Sequence, residues 1–270
     1  MKKRKAGKKK NIFDIIGMSF RKWWYNFIIV LPFVFNAVAS IIGILILFLI
    51  FGLLFMVIFG LSPLGLLGDL VLLGQLEGVI PDFSPGILIY LALVFIVMIL
   101  VLELIKAYFY SGGIAMASEI VRGKKTSLRV MDKNGWKFLW RFWIIEIIIA
   151  LGVIIWLFIF ALPFIFTQDI SLLSIMGISV IPMMFVYVFF ILVEYFLVLE
   201  DLSVWKSFER GISIVKTNYW AMLGLGVLFL LMTGLASFIP WIGGIASLII
   251  FIPCQTIAFV IFALKRAYRR

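Results

Sequence analysis

Three glutamates, Glu103, Glu146 and Glu194, stand inside long apolar stretches of this chain. A bare carboxylate in hydrocarbon is costly, so such a group turns to a polar interior, pairs with a cation or takes up a proton. Spacing puts cations within reach. Lys106 follows Glu103 by one helical turn. Arg141 precedes Glu146 by five residues, about 7.5 Å along a helix. At similar depth on three helices, Glu103, Lys106, Arg141, Glu146 and Glu194 could converge on one polar cavity for an ion, a proton or a cationic substrate. The alternative is that each carboxylate is paired or reaches the head-group region, where a charge costs much less.

Other chemistries find no residues. The chain has no histidine, which removes the usual general base, proton shuttle and metal ligand together. Its one cysteine, Cys254, falls inside the last apolar stretch, so disulfide frameworks and thiolate metal clusters are excluded. Gly65 to Asp69 suggests the glycine-aspartate motif of intramembrane aspartyl proteases, but the spacing is wrong and no second aspartate stands in an apolar stretch. No run of aspartates suits Mg²⁺. Asp132, Glu200 and Asp201 could act on lipid head groups only with a nucleophile or metal cluster beside them, and none is visible. The expectation is no catalytic residue, no metal and no cofactor.

The second kind of candidate is cationic. The chain's 24 lysines and arginines against 13 acids give a net charge of +11. They fall in five groups: the first 22 residues, Lys106, Arg122 to Arg141, Lys206 to Lys216, and the last six residues. Long stretches without a cation separate them. If those stretches cross a bilayer in pairs, every group faces the cytoplasm, as the positive-inside bias expects. A basic inner surface attracts anionic lipid head groups, so lipid is the expected partner and nucleic acid is not. Arg21, Lys22, Lys124, Lys125, Lys206, Arg210 and Lys216 are the candidate head-group contacts. Protein partners are left open.

The elements that must position these residues are long helices. The 270 residues are 65% hydrophobic and 14% charged, with a mean hydropathy of +1.22. Soluble domains are about one quarter charged. The pattern predicts an all-α, polytopic membrane bundle with six spans: 27–60, 87–110, 142–166, 172–199, 219–239 and 245–264. An even number leaves both termini on the cytoplasmic side of the cell membrane, flanked by a basic segment 1–26 and a basic tail 265–270. The first apolar run is too long for a signal-peptide core, so it is expected to stay in the mature chain. It is too short for two crossings and reads as one tilted or kinked helix, with Pro32 near its bend. Residues 61–86 read as an outer loop with a short interfacial helix.

Three inner segments share an amphipathic design that runs into a span through aromatics. In the third, Trp205, Phe208, Ile212, Val215 and Tyr219 recur at three- and four-residue steps, a helix lying in the interface with its apolar face down. Ser203 or Asp201 could cap it. The first carries Ile12, Phe13, Ile16, Phe20 and Trp23 or Trp24. The second, 128–143, is expected to break at Asn134-Gly135. Gly17-x-Ser19-x-x-Lys22-x-x-Tyr25 overlays Gly211-x-Ser213-x-x-Lys216-x-x-Tyr219 without a gap, which suggests a repeated unit.

Glu200-Asp201, Trp205 to Phe208 and Asn218 to Trp220 before a Gly/Leu-rich span resemble a group of uncharacterised six-helix membrane proteins. Gly112-Gly113 and Gly123 to Ser127 fit the other inner loop of that group. The group is similar to the membrane domain fused to some glycerophosphoryl diester phosphodiesterases. The resemblance covers most of the chain after about Ile87. It implies a fold and a membrane location and no reaction, since no catalytic phosphodiesterase domain accompanies it. The functional expectation is a non-enzymatic membrane protein that organises or senses the bilayer or serves as a membrane partner. The alternative is a small transporter or channel using the inner-leaflet glutamates.

Overall fold

A computed structural model describes residues 11–59, 85–167, 173–239 and 242–267. The expected outer loop 61–86, apart from its last two residues, and the extreme basic termini lie outside them. Every element among the described residues is helical. In chain order these are α1 (Ile12–Trp24), a 3-10 turn (Phe27–Val30), α2 (Leu31–Phe59), α3 (Pro85–Val121), α4 (Leu128–Thr167), α5 (Leu173–Tyr187), α6 (Ile191–Leu199), α7 (Val204–Ser237), α8 (Ile242–Ala246), a π-helical turn (Ser247–Phe251) and α9 (Ile252–Ala267). Six helices are long and apolar enough to cross a membrane. In all but the last, the apolar side chains stay largely exposed, Phe48, Val57, Phe95 and Phe158 among them, a surface suited to hydrocarbon rather than water.

The helices fall into two units, residues 1–36 with 106–270, and residues 37–105. In the smaller unit the Tyr90 hydroxyl donates to the Phe51 carbonyl, and the Tyr90 ring packs on Phe55. The larger unit is built around α9. Cys254, Ile257, Ala258, Val260, Ile261 and Ala263 are fully buried, because α1, α6 and α7 surround this helix. Between Ile257 and Ala263 this helix is apolar all round and has no solvent face to keep.

The expected break at Asn134-Gly135 is absent: α4 runs unbroken through both residues. The Asn134 side-chain amide donates to the Val130 carbonyl one turn back, so the residue stays helical. Gly135 is a packing notch: a Cβ there would sit 2.9 Å from the Tyr108 ring and carbonyl. The 40 residues of α4 span about 60 Å, twice a hydrocarbon core. The second inner segment is therefore the near end of one long rod and makes no elbow.

The other two segments do bend. Asn11 caps α1 in a reciprocal capping box with Asp14, and the chain turns at Tyr25-Asn26 into the 3-10 turn. Pro32 lies in the first turn of α2, where its missing N–H costs nothing. In α7 the backbone leaves helical geometry at Asn218 (φ −134°, ψ 26°), separating a polar half from an apolar half. Ser203 holds the N-cap position without a side-chain capping bond.

The stripes read from periodicity coincide with the packing faces only in part, Trp23 and Val215 belonging to both. α1 buries Ile15, Ser19 and Trp23, and α7 buries Ser207, Gly211, Ile214 and Val215. Phe13, Trp24 and Trp205 point outward. The overlaid motifs also differ in environment. Gly17 faces open space, whereas a Cβ on Gly211 would meet the Val193 backbone at 2.9 Å. The spacing match reflects helix amphipathicity rather than equivalent packing.

The fourth apolar stretch is two helices, α5 and α6, joined by a turn at 188–190. There the Phe189 N–H shifts from the Phe185 carbonyl to that of Val186. The Tyr219 hydroxyl donates to the released Phe185 carbonyl at 3.0 Å. The last stretch is irregular at its π-helical turn, and there the Trp23 indole donates to the Ile249 carbonyl at 2.9 Å. Each elbow thus contributes one aromatic donor to an interrupted helix, which satisfies backbone that hydrocarbon could not.

Candidate functional site

Contacts within the larger unit join the cationic groups at one end of the helices. The Lys22 amino group donates to the Ile120 carbonyl at 2.8 Å. Tyr108 donates to Asp132 at 2.5 Å. Lys137 and Arg141 reach Asp201, and Lys265 lies 3.7 Å from the Met18 sulfur.

At this end α1 and the terminus of α3 enclose a pocket of about 420 Å³. Its local geometry follows from one glycine. Gly123 adopts φ +78°, the left-handed conformation that glycine takes without a Cβ penalty. The Gly123 N–H donates to the Ile120 carbonyl and the Lys124 N–H to that of Glu119, a Schellman closure of α3. Lys22 adds its charge to the same carbonyl end, where the helix dipole favours a cation. The closure brings Lys124 and Lys125 to the pocket that Arg21, Lys22 and Tyr25 also line. Among the described residues no carboxylate pairs with Arg21, Lys124 or Lys125, and Glu119 does not line the pocket. The arrangement can hold an anion.

A second polar cluster is internally neutralised. Asp201 ends α6 in the left-handed region, φ 52°. Its carboxylate pairs with Lys137 at 2.6 Å and Arg141 at 3.0 Å, and Arg141 also donates to the Leu202 carbonyl at 3.0 Å. The Lys137 hydrogen bond, opposed by burial and reinforced by Arg141, holds the Asp201 carboxyl below its ordinary range. Arg210 pairs with Glu200 at 3.3 Å.

Glu146 is buried, and its carboxylate pairs with Lys106 at 2.7 Å. Lys106 follows Glu103 on α3, and Arg141 is engaged at Asp201 instead of Glu146. Glu194 sits in the first turn of α6, where the helix dipole favours a carboxylate. Glu103 belongs to the smaller unit. Neither Glu146 nor Glu194 lines the basic pocket or a larger apolar cavity of about 570 Å³ between α5, α7 and the π-helical turn.

Of the seven expected head-group cations, Arg21, Lys22, Lys124 and Lys125 share the pocket. Lys206 and Lys216 are exposed elsewhere, and Arg210 is engaged by Glu200. Sequence reasoning missed Tyr25 as a pocket residue and Asp201 as the partner of two cations. Gly123 before the lysine pair was the available signal for the first. Nothing local could announce the second, since 60 residues or more separate the partners.

These features define an all-helical protein with six helices long and apolar enough to cross a membrane. The chain belongs to the family described as Domain of unknown function (DUF7847), whose model matches residues 92–266. That match includes Lys124, Lys125 and Asp201, while Arg21 and Lys22 precede it. No curated protein and no solved structure matches the chain, so the likeness to the phosphodiesterase membrane domain finds no support there.

Proposed function

We propose that this chain is a non-enzymatic multi-pass protein of the cytoplasmic membrane that organises or senses the bilayer through anionic lipids at its inner face. Its termini and basic end lie on the cytoplasmic side in this reading. The observation that carries it is the pocket at α1 and α3, where cations about a hundred residues apart meet without a carboxylate. The outward aromatics of α1 and α7 support it, since Phe13, Trp24 and Trp205 stay exposed and offer amphipathic surface to an interface. A role as a membrane partner for other proteins is compatible with the same face. The test is lipid composition around the full chain in nanodiscs made from mixed anionic and neutral lipid. Enrichment of anionic lipid over empty discs is expected, and its absence refutes the reading.

A small transporter or channel is the second reading. The observation favouring it is the pair of interruptions, the 188–190 turn and the π-helical turn, which both border the apolar cavity. Discontinuous helices of this kind line many transport sites. Glu103→Gln, Glu146→Gln and Glu194→Gln, tested singly for flux, decide it: unchanged flux in all three removes the glutamates from any pathway.

A further inference from the structure

We infer that the pocket between α1 and the end of α3 is a discrete binding site for one phosphate-bearing lipid head group, not a stretch of diffuse positive surface. This deepens the reading just proposed and rests on it. Three observations carry the inference. Arg21, Lys124 and Lys125 converge on a concavity of about 420 Å³ and have no carboxylate partner among the described residues. Cations exposed elsewhere, such as Lys206 and Lys216, line no part of it. The lysine pair is held by built geometry, the left-handed Gly123 and the Schellman closure of α3, so ordering costs fall before the ligand arrives. Lys22 is partly spent on the Ile120 and Val121 carbonyls and fixes the α1 wall against α3.

The donor set suits phosphate. Arginine meets it with a planar fork and lysine as a point charge, while the Tyr25 hydroxyl on the rim can donate as well. A lipid is favoured over a soluble phosphate ester as the source. Trp24 and Phe27 stand exposed beside the pocket residues in sequence and offer apolar surface to the rest of such a molecule.

The test uses the full chain in a neutral detergent, titrated with short-chain phosphatidic acid, with phosphatidylcholine of the same chain length, and with glycerol phosphate. Three variants accompany it: Arg21→Ala/Lys124→Ala/Lys125→Ala, the charge-matched Arg129→Ala/Lys206→Ala/Lys216→Ala, and Gly123→Ala, which keeps every charge. A cation at the bound phosphate contributes about a fivefold factor in lipid affinity, and one away from it far less. The expected results are tight phosphatidic acid binding at one site per chain, a loss of about a hundredfold in the pocket triple, a loss of only a few-fold in the matched triple, and weakened binding in Gly123→Ala. Equal losses in the two triples overturn the discrete site and leave the general reading standing. No preference of the wild type for phosphatidic acid over phosphatidylcholine removes both. Competition by glycerol phosphate as strong as by the lipid overturns the lipid source and assigns the pocket to a soluble phosphate ester.

Discussion

Replacing Asp201 separates two contributions that meet in one residue. Its left-handed backbone, φ 52°, costs an L-residue without a compensating side chain about 1–2 kcal/mol. Its carboxylate is about half exposed and pairs with two cations, each pair being worth about 0.2–1 kcal/mol at such exposure. Asp201→Ala loses both pairs and keeps an unfavourable backbone, an expected loss of about 1–3 kcal/mol. Asp201→Gly loses the same pairs but relieves the backbone, so it should stay within about 1 kcal/mol of the wild type. The pH dependence divides the terms further. The folded carboxyl titrates below its unfolded value, because Lys137 first and Arg141 after it favour the charged form. The pair contribution is therefore present above about pH 4 and is lost as pH falls through the lowered folded value. Equilibrium unfolding in mixed micelles, followed by tryptophan fluorescence, reads both effects. The gap between wild type and Asp201→Ala should narrow in acid, while the gap between the alanine and glycine variants should not. Equal stabilities of those two variants at neutral pH would refute the backbone argument. A wild-type advantage that persists undiminished in acid would refute the ion-pair argument.

Other substitutions test the packing by the same unfolding assay. Gly211→Ala forces a Cβ against the Val193 backbone and should cost about 1–3 kcal/mol, whereas Gly17→Ala enters open space and should gain up to about 1 kcal/mol. Glu146→Gln removes a charge-assisted pair to Lys106 from a buried site and should cost up to about 3 kcal/mol, moderated because a third of the Lys106 side chain is exposed. A double-mutant cycle with Lys106→Met should show a coupling that an unpaired glutamate would lack. Tyr219→Phe keeps the ring but removes the donor to the Phe185 carbonyl, an expected loss of about 1 kcal/mol. No loss would mean that the freed carbonyl is satisfied in another way.

The division between sequence and structure is physical. Hydropathy and charge are sums over neighbours along the chain, so the helical class, the six apolar helices and the grouping of the cations were legible without coordinates. The elbows at Tyr25 and Asn218 were legible too, because amphipathic and apolar periodicities change there. Packing faces were legible only in part: Trp23 and Val215 fell on the expected stripes, Ser207 and Gly211 did not. In hydrocarbon an aromatic stripe gains little by facing protein, and small residues such as Ser207 and Gly211 decide which side allows close approach. Asn134-Gly135 misled for the same reason: a dipeptide that turns a free chain became a notch for Tyr108 once α3 packed against α4. Pairing was likewise a tertiary decision. Spacing put Arg141 near Glu146, but the fold gave Arg141 to Asp201 and brought Lys106 to Glu146 from another helix. An ion pair forms with whichever opposite charge lies within a few ångströms in space, and distance along the chain does not set that.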